Sequence, residues 1–200
     1  MSWIPQLAPA FLVVSAISLI VACVQSAIAI ALFAAASRSA RPGLVGAAVA
    51  IGLCALLAAA IDFGAGALGG RPARVVGAAL LLLATGYMAW QMGVADDVGN
   101  GGRDIIAFRP PPSFAQRWFA ASFWGALVAA LPVAVTWVGA VMGERFGASA
   151  WSAVGVGVCC IMGGWLGRRF ADRELIEVLL IIAVTSVAAL GEYRIIEAFS

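Results

Sequence analysis

Side chains capable of chemistry are scarce in this chain, and those inside its apolar stretches are mostly uncharged. Gln25 and Ser26 lie midway through the first long apolar run, and Pro132 and Thr136 occupy the comparable part of the fourth. Amides and hydroxyls offer hydrogen-bond donors and acceptors without formal charge, so they suit a small polar or zwitterionic solute better than a bare divalent ion. Pro132 has no backbone N–H and frees a carbonyl, which a membrane tolerates only beside protein or a water-lined cavity. A discontinuous helix at that point would make a ligand site. Asp62 is the clearest ionisable group within an apolar run. A charge at the bilayer centre costs about 2.5–3.5 kcal/mol, which makes Asp62 a candidate for handling a cation or proton. Each candidate also has a structural reading: a packed kink at Pro132, Gln25 bonded to a neighbouring helix, and Asp62 placed near the membrane interface six residues before Leu68.

Other chemistry is missing. His, the commonest metal ligand and proton shuttle, does not occur, and all 12 basic residues are Arg. No nucleophile–base pair, metal-ligand cluster or Lys-bearing phosphate loop is present, so neither enzymatic activity nor a cofactor or metal is expected. Gly99-Asn100-Gly101-Gly102 follows Asp96-Asp97 and reads as a flexible turn. A net charge of +2 without Lys gives no basic track for nucleic acid. Cys23, Cys54, Cys159 and Cys160 fall inside apolar runs and read as small helix residues rather than a disulfide framework. Glu144, Glu174, Glu177, Glu192 and Glu197 fall near the ends of runs, where solvated helix ends are expected.

The elements that must position the candidates are long and oily. With 64% hydrophobic and 11% charged residues, 200 residues cannot cover a soluble surface, and the lipid bilayer is the solvent that fits. About 20 apolar residues span it as a helix. Six spans are expected, near 8–36, 43–68, 75–94, 118–142, 150–166 and 175–190. The first exceeds the roughly 7–15 residues of a signal h-region, lacks a preceding basic residue, and reads as a retained helix. The polar segment 96–116, with Arg109-Pro110-Pro111-Pro112, reads as a linker between two three-helix units, 1–95 and 117–200. If loops alternate sides, the first, third and fifth carry eight Arg and the opposite side four. That bias places those three loops in the cytoplasm of a bacterial inner membrane and both termini outside. Trp90, Trp118, Phe123 and Trp124 are candidates for an aromatic girdle.

The two units echo one another. Ala48-Val49-Ala50-Ile51-Gly52-Leu53-Cys54 reads like Ala153-Val154-Gly155-Val156-Gly157-Val158-Cys159, and Leu80-Leu81-Leu82-Leu83-Ala84 like Leu179-Leu180-Ile181-Ile182-Ala183. Three spans per unit would force the second copy to enter from the opposite face, giving an all-α inverted 3+3 repeat, an architecture that places substrate sites near the midplane. Gly43, Gly46, Ala50, Gly163 and Gly164 predict close helix packing.

The layout, with Ala-Leu-Phe-Ala-Ala-Ala-Ser-Arg-Ser-Ala-Arg-Pro at 31–42, Val-Met-Gly-Glu-Arg-Phe-Gly at 141–147, and the turns Leu68-Gly-Gly-Arg and Leu166-Gly-Arg-Arg, resembles the LysE-type superfamily of six-helix exporters, nearest its divalent-cation/proton exchanger branch. The resemblance implies an inverted repeat and a transporter. That branch carries Glu-x-Gly-Asp-Lys/Arg-Ser/Thr in the first helix of each half. The corresponding stretches here, 24–28 and 130–134, hold no acid, so no cation ligand carries over. Bacterial iron permeases, with Arg-Glu-Gly-x-Glu in a similar helix, are a second resemblance that also lacks its acids here. Two expectations follow: a transporter-like protein with Gln25, Ser26, Asp62, Pro132 and Thr136 along its path, taking a small polar solute or cation, or a non-transporting structural or accessory subunit of a membrane-protein complex.

Overall fold

The computed structural model describes residues 4–32, 41–68, 70–99, 114–142, 149–169 and 173–200. These form six α-helices and no strand among the described residues: α1 Ile4–Leu32, α2 Arg41–Leu68, α3 Gly70–Gly99, α4 Phe114–Val141, α5 Ser149–Arg169 and α6 Arg173–Phe199. Five, all but α5, contain a stretch long and apolar enough to cross a bilayer, and the apolar stretch of α5, Trp151–Gly167, is shorter. Each sequence-based span overlaps one helix, but the helices run longer at several ends: α3 begins at Gly70 rather than 75, within the turn expected at 69–74, and α6 reaches Phe199 rather than 190. Helix α3 continues past the expected linker start at 96 through Gly99, and α4 begins at Phe114 rather than after 116. Hydropathy stops at the first charges, whereas backbone hydrogen bonding continues beyond them. The Pro110–Pro112 run, the turn 37–40 and the 143–147 segment lie outside the described residues.

Contacts between helices fix their directions. Cys159 donates weakly to the Ser15 carbonyl at 3.9 Å, Gly163 lies against Ala22 and Cys23, and Gly167 against Cys23 and Ala27. Residue numbers rise together, so α1 and α5 are parallel. Gly46 near the start of α2 meets Phe119 and Phe123 near the start of α4, making that pair parallel also. Gly77 early in α3 meets Gly139 late in α4, and Gly191 late in α6 meets Leu81 of α3, so both pairs are antiparallel. Thus α1, α3 and α5 run one way and α2, α4 and α6 the other.

The main partner of every helix lies in the other half of the chain: α1 packs chiefly on α5, α2 on α4, and α3 on α6. Contacts within a half are sparse by comparison. Helices of 1–95 therefore pack chiefly on helices of 117–200 rather than on one another. Of the apolar stretch in α4, 67% is buried and of that in α1, 50%, against 22–33% for α2, α3 and α6. The first helix of each half is thus an inner helix, and α1 and α4 pack on one another. The remaining helices turn apolar outer faces to the surroundings; Leu56, Phe63, Leu83, Ile161 and Ile196 are exposed, as lipid-facing side chains would be.

Small residues set the approach of the helices. A Cβ on Gly77 would sit 2.7 Å from the Gly139 carbonyl oxygen, and one on Gly139 would sit 2.8 Å from the Gly77 carbonyl oxygen. On α5, Gly163 and Gly167, four residues apart, abut the α1 backbone, the small-xxx-small spacing that lets membrane helices touch. At Gly164, expected to share that role, an added Cβ would meet only the Ser26 hydroxyl, at 3.8 Å. Gly155 leaves room for the buried ring of Trp137.

Candidate functional site

Helix α1 carries a stripe of buried residues at helical spacing: Val14, Ser18, Val21, Gln25 and Ala29. Ser18 and Gln25 are seven residues apart, two turns or roughly 10 Å along one face. Cys23, Ala27 and Ser26 lie on another face, against Gly167 of α5. Adjacent in sequence, Gln25 and Ser26 are therefore divided by the helix between two interfaces.

Gln25 is fully buried, and its amide faces that of Gln91 on α3. Gln25 Nε2 donates to Gln91 Oε1 at 2.7 Å, and Gln91 Nε2 donates to Gln25 Oε1 at 3.2 Å. The pair is reciprocal, each amide giving one N–H and accepting one. Burying an amide without a partner would cost about 1–3 kcal/mol, so the two residues stabilise each other's burial. Sequence reasoning misses Gln91, because it stands near the polar segment that follows α3. One signal is available there: of the four Gln residues, only Gln25 and Gln91 fall inside apolar runs.

On α4, Thr136 and Pro132 are both buried. Helix α4 runs unbroken through Pro132, which corrects the expected discontinuity. Losing one i to i−4 bond does not end a helix that is packed on several sides, since neighbouring helices hold the chain on both sides of the ring. Thr136 Oγ1 and Ser18 Oγ have no hydrogen-bond partner, although both residues are completely buried. A hydroxyl in a dry interior usually bonds back to its own helix, as Thr85 does to the Leu81 carbonyl at 2.8 Å. Ser18 and Thr136 depart from that habit, and they stand on the two inner helices.

The charged groups lie elsewhere. Asp62, partly buried on α2, accepts from Ser152 Oγ of α5 at 2.8 Å, joining the end of one half's second helix to the start of the other's. Glu197 lies 3.7 Å from Arg74 of α3 and 3.1 Å from Arg194 of its own helix, and the buried Arg194 also donates to the Ala140 carbonyl at the end of α4. Glu197 is therefore part of a three-charge knot rather than a solvated helix end, because antiparallel packing brings the start of α3 to the end of α6. Glu177 and Glu192 are exposed, as expected of such ends. Arg71 lies over the Phe199 ring at 5.4 Å. All of these charged contacts sit on the face where α2, α4 and α6 end. The four cysteines are buried and unbridged, and among the described residues no three His, Cys, Asp or Glu side chains gather to hold a metal ion.

The structure thus separates the five sequence candidates. Gln25 gains Gln91, Ser26 packs on α5, Asp62 pairs with Ser152, and Pro132 and Thr136 share the inner face of α4. Comparison with known proteins adds no relative: no family model, no curated protein and no solved structure matches the chain.

Proposed function

We propose that this chain is a transporter-like protein of the bacterial inner membrane, crossing it six times as an inverted 3+3 repeat related to the LysE-type exporters. It passes a small polar solute between its halves by alternating access. The observation that carries the reading is the set of fully buried, uncharged hydrogen-bonding groups on the two inner helices, with Ser18 and Thr136 lacking partners. In a bilayer interior such groups are expensive unless something polar visits them. Two further features support it. The alternating helix directions accord with α5 crossing alongside the other five, and the pairing of α1 with α5 and α2 with α4 accords with a two-fold exchange of halves. The eight-to-four Arg bias favours the α1–α2, α3–α4 and α5–α6 connections on the cytoplasmic side.

A second reading has its own observation. Gln25 is closed onto Gln91, as a static tie in a structural or accessory subunit would be. Flux separates the two. In proteoliposomes of the purified chain, labelled glycine, acetamide, manganese and calcium are offered with a pH dye trapped inside. Saturable uptake of one of them, slowed by Thr136→Val, supports transport. Uptake equal to that of protein-free vesicles for every solute, together with recovery of the chain bound to a partner after gentle detergent extraction, gives the accessory reading.

A further inference from the structure

We infer that the Gln25–Gln91 pair is a solute site occupied by its own side chains, and that the solute it takes is a small neutral amide of the carboxamide or urea type. This rests on the transport reading above. Each amide presents a coplanar donor and acceptor to the other, at 2.7 and 3.2 Å. A molecule able to replace either partner must offer the same coplanar pair, one N–H beside one C=O, without a charge. Acetamide and urea do so. Glycerol has hydroxyls but no planar donor–acceptor edge, and a divalent cation has neither.

The surroundings fit that chemistry. The contact ties α1 to α3, two helices with few other mutual contacts. Two turns along the same face of α1 stands Ser18, and on the packed inner helix α4 stands Thr136, each with a completely buried hydroxyl lacking a partner. These supply the next acceptor and donor for a solute that has left the amides. Among the described residues no carboxylate or guanidinium is bonded to them; Asp62 is engaged by Ser152, and Glu197 by Arg74 and Arg194.

The test measures uptake of labelled acetamide, urea, glycerol and glycine by proteoliposomes of the full chain, with Gln25→Met, Gln91→Met and the double variant. A single variant strands one amide and can unfold, whereas replacing both with apolar side chains of like shape is close to neutral. Circular dichroism and size-exclusion chromatography confirm that the double variant is folded. The expected result is acetamide and urea uptake above that of glycerol, falling roughly tenfold in the double variant, the loss anticipated for two neutral hydrogen bonds. Acetamide uptake unchanged in the folded double variant overturns the assignment. Acetamide uptake equal to empty vesicles while glycine enters overturns the amide class and leaves the transport reading standing. Failure of every solute to enter removes both.

Discussion

Replacing Gly139 by Ala tests the packing on which every other statement depends. A methyl there would lie 2.8 Å from the Gly77 carbonyl oxygen and 2.9 Å from Leu81 Cγ, where ordinary contact begins at 3.4 Å. Helices α3 and α4 must therefore move apart by 0.6 Å, the difference between 3.4 and 2.8 Å. The obstacle on one side is helix backbone, which cannot swing aside as a long side chain could. Overpacking of this kind costs about 1–3 kcal/mol. At Gly52 and Gly86 an added methyl would meet nothing within 4 Å, and Gly→Ala there relieves backbone entropy worth about 0.5–1 kcal/mol. The same chemical change thus carries opposite signs at 139 and 52. Unfolding in mixed detergent micelles by SDS titration, followed by Trp fluorescence, reads the difference directly. Because one separation of α3 from α4 makes room at both positions, Gly77→Ala with Gly139→Ala should cost less than the sum of the single changes. A Gly139→Ala variant as stable as the parent, or strict additivity of the pair, refutes the described α3–α4 contact.

Other perturbations probe other links. Glu197→Gln removes the anionic charge shared by Arg74 and Arg194; a loss of about 1–3 kcal/mol is expected in the same titration, shrinking in high salt because Arg74 and Glu197 are partly exposed. Ser152→Ala should cost about 0.5–1.5 kcal/mol by deleting the donor to Asp62, while Asp62→Asn, which keeps an acceptor, should cost less. Reporter fusions at the α1–α2 and α5–α6 connections should place both on one membrane face, and a fusion at the α2–α3 connection on the other; any other pattern contradicts the helix directions. Gln25→Leu alone should lower stability, because Gln91 is left without its amide partner, by more than Gln25→Met with Gln91→Met together.

Much of the fold is legible in the sequence because the bilayer imposes a length rule. Stretches such as Leu44–Ala65 and Phe119–Val141 announce their helices by composition alone. Pairing between helices is not legible, since Ala occurs on every span and Gly on most, and only the folded chain reveals that Gly77 meets Gly139 and that Gly86 meets nothing. The site is half visible. Gln25 and Thr136 stand out as polar residues in apolar runs, but the face each presents depends on small rotations that hydropathy does not encode. Ser26 therefore groups with Gln25 in sequence although it packs on α5. Arg194 and Glu197 read as an ordinary chain end because their partners, Ala140 and Arg74, are far away in sequence.

Pairing of helices across the two halves has a consequence for biogenesis. When the ribosome has delivered α1, α2 and α3 to the membrane, the chief partners of all three are still unmade. The α1 surface that will receive Gly163 and Gly167, and the notch at Gly46 that will receive α4, must meanwhile rest against acyl chains or an insertion chaperone. Assembly is therefore completed only after the last helix emerges. Two polypeptides cut within residues 100–113 and made together should then reconstitute the bundle, where either alone would be degraded.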